Sequence, residues 1–557
     1  MAKIKIFALG GLGENGKNMY VVEVNEHIFI LDAGLKYPDI DMYGVDAVIP
    51  DISYLIEHKD KIEGIFISHG HEDHINALPY LLKQIPTRVY GTHFTICLIE
   101  NLLSGNKMNI KNYKLFRVNE NKVLTFGKVT VSLFNTTHSI PESVAISIAT
   151  EDGSIVYCTD FNFGPIPFGR YQTSFDKITE IAKRPVLALL SESIGAGTVN
   201  RIKNDSLLEH TYKNILVNAE GRIIVSAYSS DLSRIQKIIN MSVEKGKQIA
   251  IVGRIAEKIV DVAIKSHYLD IPKEALVTLQ PYQEIDEAQH RNDLVVIVAG
   301  VRNEPYTLLM RMAMGEDKLV NIGPKDTAVM MCPPIPGTEK ASIDALNMLY
   351  RYDVNVHILG KDILRSAHAD KEDLKLLYAM LKPKYILPVK GEYRHMYEQS
   401  IVASNAGWDE NHILLLDNGE VAEFENGKLV NRFSVPSGDL FVDGSLMGSV
   451  DEQVIKNREA LAEEGAIILT INYDIRQRKV ISCADIVTKG LSTQLTISEL
   501  SRQLNALATR MMNNQLTKKN FSLDNAEKTI NEEVQKLVFR LTKKRPVILT
   551  MLIEISK

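Results

Sequence analysis

The stretch Ser68-His69-Gly70-His71-Glu72-Asp73-His74 follows directly on the apolar run Gly64 to Ile67. Three imidazoles and an aspartate at the end of a buried strand are costly to pack into a core unless something binds their lone pairs. Imidazole and carboxylate together are a ligand set for zinc. The spacing lets His69 and His71 reach one ion while Asp73 and His74 reach a second. Two further residues complete such a site. His138 sits in Asn135-Thr-Thr-His-Ser-Ile-Pro141, a turn after an apolar strand, and Asp160 follows the strand Ile155-Val-Tyr-Cys158. Alone, the first reads as a structural histidine and the second as a cap or turn former.

At 557 residues the chain is too long for one hydrophobic core, so two to four domains are expected. It is 45% apolar and 24% charged, with 33 Gly and 19 Pro, which excludes a disordered, collagen-like or coiled-coil chain. Lys plus Arg number 64 against 69 Asp plus Glu, a net charge of −5, so any contact with nucleic acid must come from a local cleft. Cys97, Cys158, Cys332 and Cys483 form no C-x-x-C pair, which fits a reducing compartment without a disulfide framework or thiolate zinc knuckle. No apolar run approaches the roughly 18–20 residues that span a bilayer. The N-terminal residues enter a strand-like alternation with no signal-peptide core. A cytoplasmic protein without membrane association is expected.

The first third alternates β-branched or aromatic runs with turn residues, among them Lys3 to Leu9, Tyr20 to Val24, Ile28 to Leu31, Val129 to Phe134 and Ile155 to Tyr157. Strands at this density, with the clearest helices after His74 and His93, predict stacked sheets with helices outside. From 206 to 355 the texture becomes strand–helix alternation, with buried strands at Arg222 to Ala227, Gln248 to Val252 and Leu294 to Ala299. It then reverts, and the strand Tyr385 to Val389 ends in the charged turn Lys390-Gly-Glu-Tyr-Arg394. The expected organisation is a sandwich domain in two parts, 1–205 and 356–436, around an insert at 206–355. A linker at 437–450, marked by Ser437-Gly-Asp and Asp443-Gly-Ser, leads to a small α+β unit at 451–557. Its last helix shows Ile530, Val534, Leu537, Val538 and Leu541 on one face, followed by the strand Val547 to Ile553. Lys543-Lys544-Arg545 reads as cations at that helix's C-terminus rather than as an RNA contact.

Gly11-Leu-Gly13-Glu-Asn-Gly16 matches the dinucleotide-binding fingerprint, which requires a helix next. Lys17 to Val24 is strand-like instead, so a loop between strands is expected and no Rossmann fold.

Taken together, His69, His71, Asp73, His74, His138 and Asp160 resemble the metallo-β-lactamase superfamily pattern, H-x-H-x-D-H with a distant His and a distant Asp. The resemblance implies an α/β fold, a four-layered αββα sandwich holding two zinc ions at one edge, with Asp160 bridging them and His138 completing the first site. Manganese and magnesium are the alternative ions. Such a pair activates water as nucleophile and stabilises charge on a phosphate oxygen. The superfamily includes thioesterases, lactamases and oxidoreductases, so the motif alone does not select a substrate.

The insert narrows the choice. Leu187-Ala-Leu-Leu-Ser-Glu192-Ser193 resembles the acidic first motif of the β-CASP nucleases, whose sandwich carries an inserted α/β domain. Arg365-Ser366-Ala367-His368-Ala369 resembles their second motif and Pro388-Val-Lys390-Gly-Glu-Tyr-Arg394 their third. The stretches Asn135 to Ser143, Arg234-Ile-Gln236, Gly253-Arg254, Pro334-Ile-Pro-Gly337 and Lys382-Pro-Lys-Tyr385, with the C-terminal unit, resemble the bacterial ribonuclease J family over essentially the whole chain.

That resemblance implies an RNA hydrolase of RNA maturation and decay, cutting internally and trimming 5′ to 3′ from a monophosphorylated end. It implies as partners RNA, further copies of the chain in a homodimer or tetramer, a paralogous ribonuclease J, and a larger RNA-degrading assembly. Catalytic roles would fall to Asp73, His368 and Glu192. His368 would donate a proton to the leaving oxygen or steady the phosphate, with Glu192 orienting a neighbouring histidine. Leu364, Arg365, Ser366, Ala367 and His368 form the loop expected to bind the substrate phosphate, with RNA held in the cleft by local Lys and Arg.

The pattern breaks at several points. Lys390 stands where the third motif carries a zinc-ligating histidine. A protonated ammonium has no lone pair and repels a metal ion, so the second ion is expected to be weaker, held by fewer ligands, or absent. Leu364 and Ala367 stand where active members commonly carry His and Gly, and Val301-Arg302-Asn303 replaces a Ser-Gln-Gly stretch. These losses resemble the second-type, less active paralogue of the family. Two readings stay open: a feeble nuclease working in complex with its sister, or a largely non-catalytic RNA-binding subunit that stabilises the sister. A hydrolase of small esters is set aside, since it needs neither insert nor C-terminal unit.

Overall fold

The computed structural model describes residues 2–39, 42–164, 170–198, 205–279, 292–444, 446–518 and 520–555. The side chain of Arg254 lies outside the described residues. The chain divides into two compact units, Met1–Tyr37 with Val48–Leu440, and Pro38–Ala47 with Phe441–Lys557.

In the first unit two sheets stack face to face. One has eight strands, in the order Lys428–Ser434, Glu420–Glu425, Lys3–Gly10, Met19–Val24, His27–Leu31, Ile62–Phe66, Arg88–Gly91 and Lys114–Arg117. The other has six, in the order Tyr385–Val389, Val186–Glu192, Gly153–Cys158, Val144–Thr150, Val129–Asn135 and Leu124–Phe126. Ile4, Tyr20, Phe29 and Phe66 of the first interdigitate with Val131, Ile146, Tyr157 and Leu190 of the second in one dry cluster. Phe134, Val156, Leu189 and Ile386, on the second sheet's other face, pack against Leu374, Leu377 and Val402 of helices Lys371–Leu381 and Tyr393–Asn405. Helix His93–Gly105 lies against the strand Arg88–Gly91 of the first sheet. The central strands Met19–Val24, Gly153–Cys158 and Val186–Glu192 are covered on both faces and buried at every position, whereas the edge strands Lys428–Ser434 and Lys114–Arg117 are largely exposed. The result is the αββα sandwich.

The topology fixes where the chemistry lies. Strands Gly153–Cys158, Val186–Glu192 and Tyr385–Val389 run parallel, with Cys158 beside Ser191 and Glu192 beside Val389. Their C-terminal ends therefore open on one edge, and Asp160, Glu192 and Lys390 emerge there side by side although they are far apart in sequence.

The insert is a five-stranded parallel sheet, ordered Gln248–Val252, Leu294–Gly300, Ile223–Tyr228, Thr327–Met330 and Asn355–Ile358. Its last strand runs to Ile358, past the expected boundary at 355, because Thr327–Met330 pairs with it along its whole length.

In the second unit, strand Ala466–Asp474 pairs on one edge with Lys479–Cys483 and Val487–Lys489, and on the other, in parallel, with Val547–Glu554. Helices Ile497–Leu516 and Leu523–Thr542 cover one face through Leu500, Leu504, Ile530, Val534 and Val538. Lys543 ends the second helix in a left-handed conformation, and Lys543 and Arg545 stack on Phe539.

The stretch read as a linker, 437–450, is a correction. It contains the strands Asp439–Asp443 and Leu446–Val450, paired antiparallel around Gly444. Ser437-Gly438 precedes the strand Asp439–Asp443 and Gly444 follows it, and the apolar Leu-Phe-Val between them was the stronger indication.

The glycine run at 11–16 is a loop before strand Met19–Val24, as its sequence predicts. Leu12–Gly13 pairs with Gly391–Glu392, so this loop backs the Lys390 turn.

Candidate metal centre

The site is assembled at the open edge from five loops. His69, His71, Asp73 and His74 follow strand Ile62–Phe66, with Glu72 opening a short helix over Glu72–Ile75. His138 follows Val129–Asn135, Asp160 follows Gly153–Cys158, and Glu192 ends its own strand. Three groups of donors converge: His69, His71, His138 and Asp160; Asp73, His74 and Asp160; and Asp160, Glu192 and His368.

In the first group His69 Nε2 lies 3.0 Å from His71 Nδ1, and His138 Nε2 lies 3.2 Å from the same atom. Asp160 Oδ2 is 3.2 Å from His69 Nε2 and 3.4 Å from His138 Nε2. Four donors around a tetrahedral zinc at its usual bond lengths stand about 3.4 Å apart, so the spacing fits that ion.

The far nitrogen of each ring has an acceptor, which sets the tautomer and leaves the near lone pair free. His69 Nδ1 donates to Ser68 Oγ at 3.0 Å, whose own proton goes to Asp32 Oδ2 at 2.7 Å. His71 Nε2 donates to the Ser230 carbonyl at 3.0 Å, and His138 Nδ1 to the Ala367 carbonyl at 3.0 Å. Burial is the first cause that keeps these imidazoles neutral. It pushes His69 down to about 3, and it holds His71 below and His138 well below the ordinary histidine value. Neutral, oriented imidazoles beside a carboxylate are the state a metal needs.

Stripping the ion with a chelator is accordingly expected to lower the melting temperature, because lone pairs about 3 Å apart then face one another unscreened. With free zinc a thousandfold above its Kd, the loss corresponds to about 4 kcal/mol. Thermal melts with and without EDTA measure it, and coincident curves would count against the site.

The second group already holds a cation. The Lys390 Nζ contacts Asp160 Oδ2, stands 3.0 Å from Asp73 Oδ2 and lies 2.7 Å from His74 Nε2. Burial opposes charge on Lys390, but Asp160, Asp73 and Glu192 outweigh it and raise its pKa. Burial likewise opposes ionisation of Asp73 and Asp160, yet the Lys390 ammonium holds both well below the usual carboxylate range. His74 Nδ1 donates to Asp32 Oδ2 at 2.7 Å. Burial and Lys390 oppose a charge on His74, while Asp73, Asp32 and Asp160 favour one. Two N–H donors cannot face each other at 2.7 Å, however, so beside a charged Lys390 His74 Nε2 is the acceptor and the ring is neutral. Donors that fit a metal in the first group do not fit one here while Lys390 remains among them.

Beside this centre Glu192 Oε2 accepts from His368 Nδ1 at 2.7 Å, and Glu192 Oε1 accepts from the Phe161 and Ala369 backbones. Burial alone would lower His368, but Glu192 and then Asp160 raise it above the ordinary histidine value. Ser366 is exposed, and its Oγ accepts the His368 N–H at 3.1 Å. Arg365, Ser366 and Ala367 line a pocket with His138, Arg234 and Lys237. Leu364, expected among the substrate-binding residues, has its apolar side chain buried at 5% exposure. Arg302 stacks on the Tyr37 ring, whose hydroxyl donates to Glu72.

Sequence reasoning missed Asp32, the hub beneath the site. Fully buried, it accepts from Ser68 N and Oγ, His74 Nδ1 and Tyr157 OH, all at 2.7 Å. An aspartate ending the apolar run Ile28–Leu31 and followed by Ala-Gly was the available signal. It also missed Asn18, which donates to the Asp73 carbonyl at 2.9 Å and carboxylate at 3.1 Å. Asp32, Asp160 and Lys390 all adopt left-handed backbone, the kind of local strain that concentrates at functional sites.

Four family models match the chain. The metallo-beta-lactamase superfamily covers residues 12–192, the ribonuclease J beta-CASP domain 220–349, a Zn-dependent metallo-hydrolase RNA specificity domain 353–413, and the ribonuclease J C-terminal domain 453–555. The chain is 35% identical over 555 residues to a protein named Ribonuclease J 2 from Streptococcus pyogenes, covering 100% of both. It is 34% identical to a Ribonuclease J 2 from Staphylococcus epidermidis, over 99% of this chain and 98% of that one. A crystal structure of a protein of unknown function from Enterococcus faecalis covers 76% of this chain and all of its own at TM-score 0.51 and 15% identity, which shows a shared fold. With four such models along the chain and 35% identity to a ribonuclease J over 555 residues, the chain belongs to the ribonuclease J family.

Proposed function

We propose that this chain hydrolyses RNA phosphodiester bonds in RNA maturation and decay, at 5′-monophosphorylated ends and at internal positions. The convergence of His69, His71, His138 and Asp160 at tetrahedral spacing carries the reading. When bound there, zinc, or manganese or magnesium in its place, supplies Lewis acidity and a hydrolytic water active near neutral pH. His368, its Nδ1 committed to Glu192, has Nε2 as the one ring nitrogen left for substrate. Glu192 and Asp160 raise the His368 pKa, which favours a proton on that nitrogen, and His368 passes it to the leaving oxygen. The Ser366 hydroxyl hydrogen-bonds a phosphate oxygen, and Asp73 shapes the centre through Lys390 rather than touching substrate. Arg365 supplies positive charge for RNA in this pocket, beside Arg234 and Lys237, which pair there with Asp231 and Asp205.

The chain's own rate is low. It works in the cytoplasm with a paralogous ribonuclease J, as a dimer or tetramer and within a larger RNA-degrading assembly. Its four free cysteines agree with a reducing compartment, and no helix among the described residues is long and apolar enough to cross a membrane. The occupation of the second donor group by Lys390 favours a second reading, an RNA-binding subunit that mainly supports the paralogue.

Purified chain with Mn2+ or Zn2+ and 5′-monophosphate RNA decides between them, alone and mixed with the paralogue. Slow cleavage is expected, at least about a hundredfold lower in His71→Ala and faster in the mixture. Cleavage that His71→Ala leaves intact would come from a foreign nuclease. RNA binding without any cleavage would leave the supporting role.

A further inference from the structure

We propose that the Lys390 ammonium is a built-in second cation, so that the centre takes one exchangeable metal ion and not two. This rests on the hydrolase reading above and deepens it. Asp73, His74 and Asp160 would be the protein ligands of a second ion, and the Lys390 Nζ stands within 3.0 Å of a donor atom on each. Asp160 Oδ2 faces both this nitrogen and the lone pairs of His69 and His138, so one carboxylate oxygen bridges ammonium and metal site.

Lys390 is not poised to leave. It is 2% exposed, and its backbone is tied on both sides. Its N–H donates to Tyr20 OH at 3.1 Å, and its carbonyl accepts from Ser193 N at 3.2 Å and Ser193 Oγ at 2.7 Å. Leu12–Gly13 pairs with the next two residues, which locks the turn from the other side.

The replacement is incomplete in a way that bears on rate. An ammonium has three protons: two hydrogen-bond Asp160 and His74, and Asp73 Oδ2 stands 3.0 Å away as an ion-pair partner. Buried among these three groups at 2% exposure, the nitrogen is turned to the protein and not to a phosphate oxygen. A metal ion in the same place would keep open positions for substrate. Lys390 therefore neutralises the carboxylates and holds Asp160 in place, but it cannot stabilise charge on the substrate. It is a positioning residue.

Counting bound metal in the intact chain tests this without reference to turnover. After dialysis against excess Zn2+ and removal of loose ion, wild type is expected to retain one zinc per chain. Lys390→His, which offers a lone pair among Asp73, His74 and Asp160, is expected to retain two and to cleave RNA faster. Titration with Co2+ followed by its visible absorption should reach its plateau at one equivalent in wild type and two in the variant. Wild-type measurements stand even if Lys390→His folds poorly. Two ions in wild type would overturn the built-in cation while leaving the hydrolase reading intact. No tightly held ion in wild type would overturn both.

Discussion

Replacing Asp160 by alanine is expected to abolish metal retention and RNA cleavage and to destabilise the chain by about 3–5 kcal/mol, the cost of leaving a buried charge without its partner. Asp160 Oδ2 is the atom where both halves of the centre meet. It lies 3.2 Å from His69 Nε2, 3.4 Å from His138 Nε2 and in contact with the Lys390 ammonium. The carboxylate is 1% exposed, so water does not replace it. Without it Lys390 keeps Asp73, at 3.0 Å, and the charge of Glu192. The double variant Asp160→Ala/Lys390→Met removes both charges. It should recover most of the lost stability while staying inactive, because the pair is coupled in stability and the metal ligand is still missing. Urea unfolding and metal analysis of the two single variants and the double one close the cycle. A single Asp160→Ala variant as stable as wild type would show that Lys390 is not charged against it.

Gly34→Ala is expected to have the next largest effect, although the residue carries no chemistry. An added Cβ would stand 1.6 Å from the Asp73 carbonyl oxygen, 2.1 Å from its carbon and 2.8 Å from His74 N. The two backbones meet here because Ala33 N donates to the His74 carbonyl at 2.8 Å and Leu35 N to the Glu72 carbonyl at 3.3 Å. Relief requires moving the Asp73–His74 peptide, and with it the imidazole on Asp32. A loss of about 3 kcal/mol follows from such overpacking. Because displacements near 1 Å are felt strongly in a site of this kind, cleavage should fall about a hundredfold. Gly105→Ala is the control: nothing lies within 4 Å of its Cβ position, and stability should stay within about 0.5 kcal/mol. Equal behaviour of the two variants would mean that the approach of the two loops is not what forbids a side chain at 34.

Much of this centre was legible before any coordinates, and the reason is local. His69, His71, Asp73 and His74 sit in one loop after an apolar strand, so residue type and spacing already define a ligand set. The central sandwich strands, such as Gly153–Cys158 and Val186–Glu192, were legible because burial on both faces makes their sequences largely apolar. The strands at 439–443 and 446–450 were hidden by the turn residues at their ends, and the boundary at 355 fell inside a strand. Asp32 drew no notice because one strand-end aspartate resembles any other until Ser68, His74 and Tyr157 are seen around it.

By itself the sequence determined which side chains could bind metal and that Lys390 could not. Only the tertiary structure decided the rest: that the lysine lies among the carboxylates, and that the carbonyls of Ser230 and Ala367 turn His71 and His138 toward one point. A carbonyl belongs to every residue and so leaves no trace in a sequence. A buried charge, likewise, takes its meaning from neighbours that folding brings across as many as 317 positions, from Asp73 to Lys390.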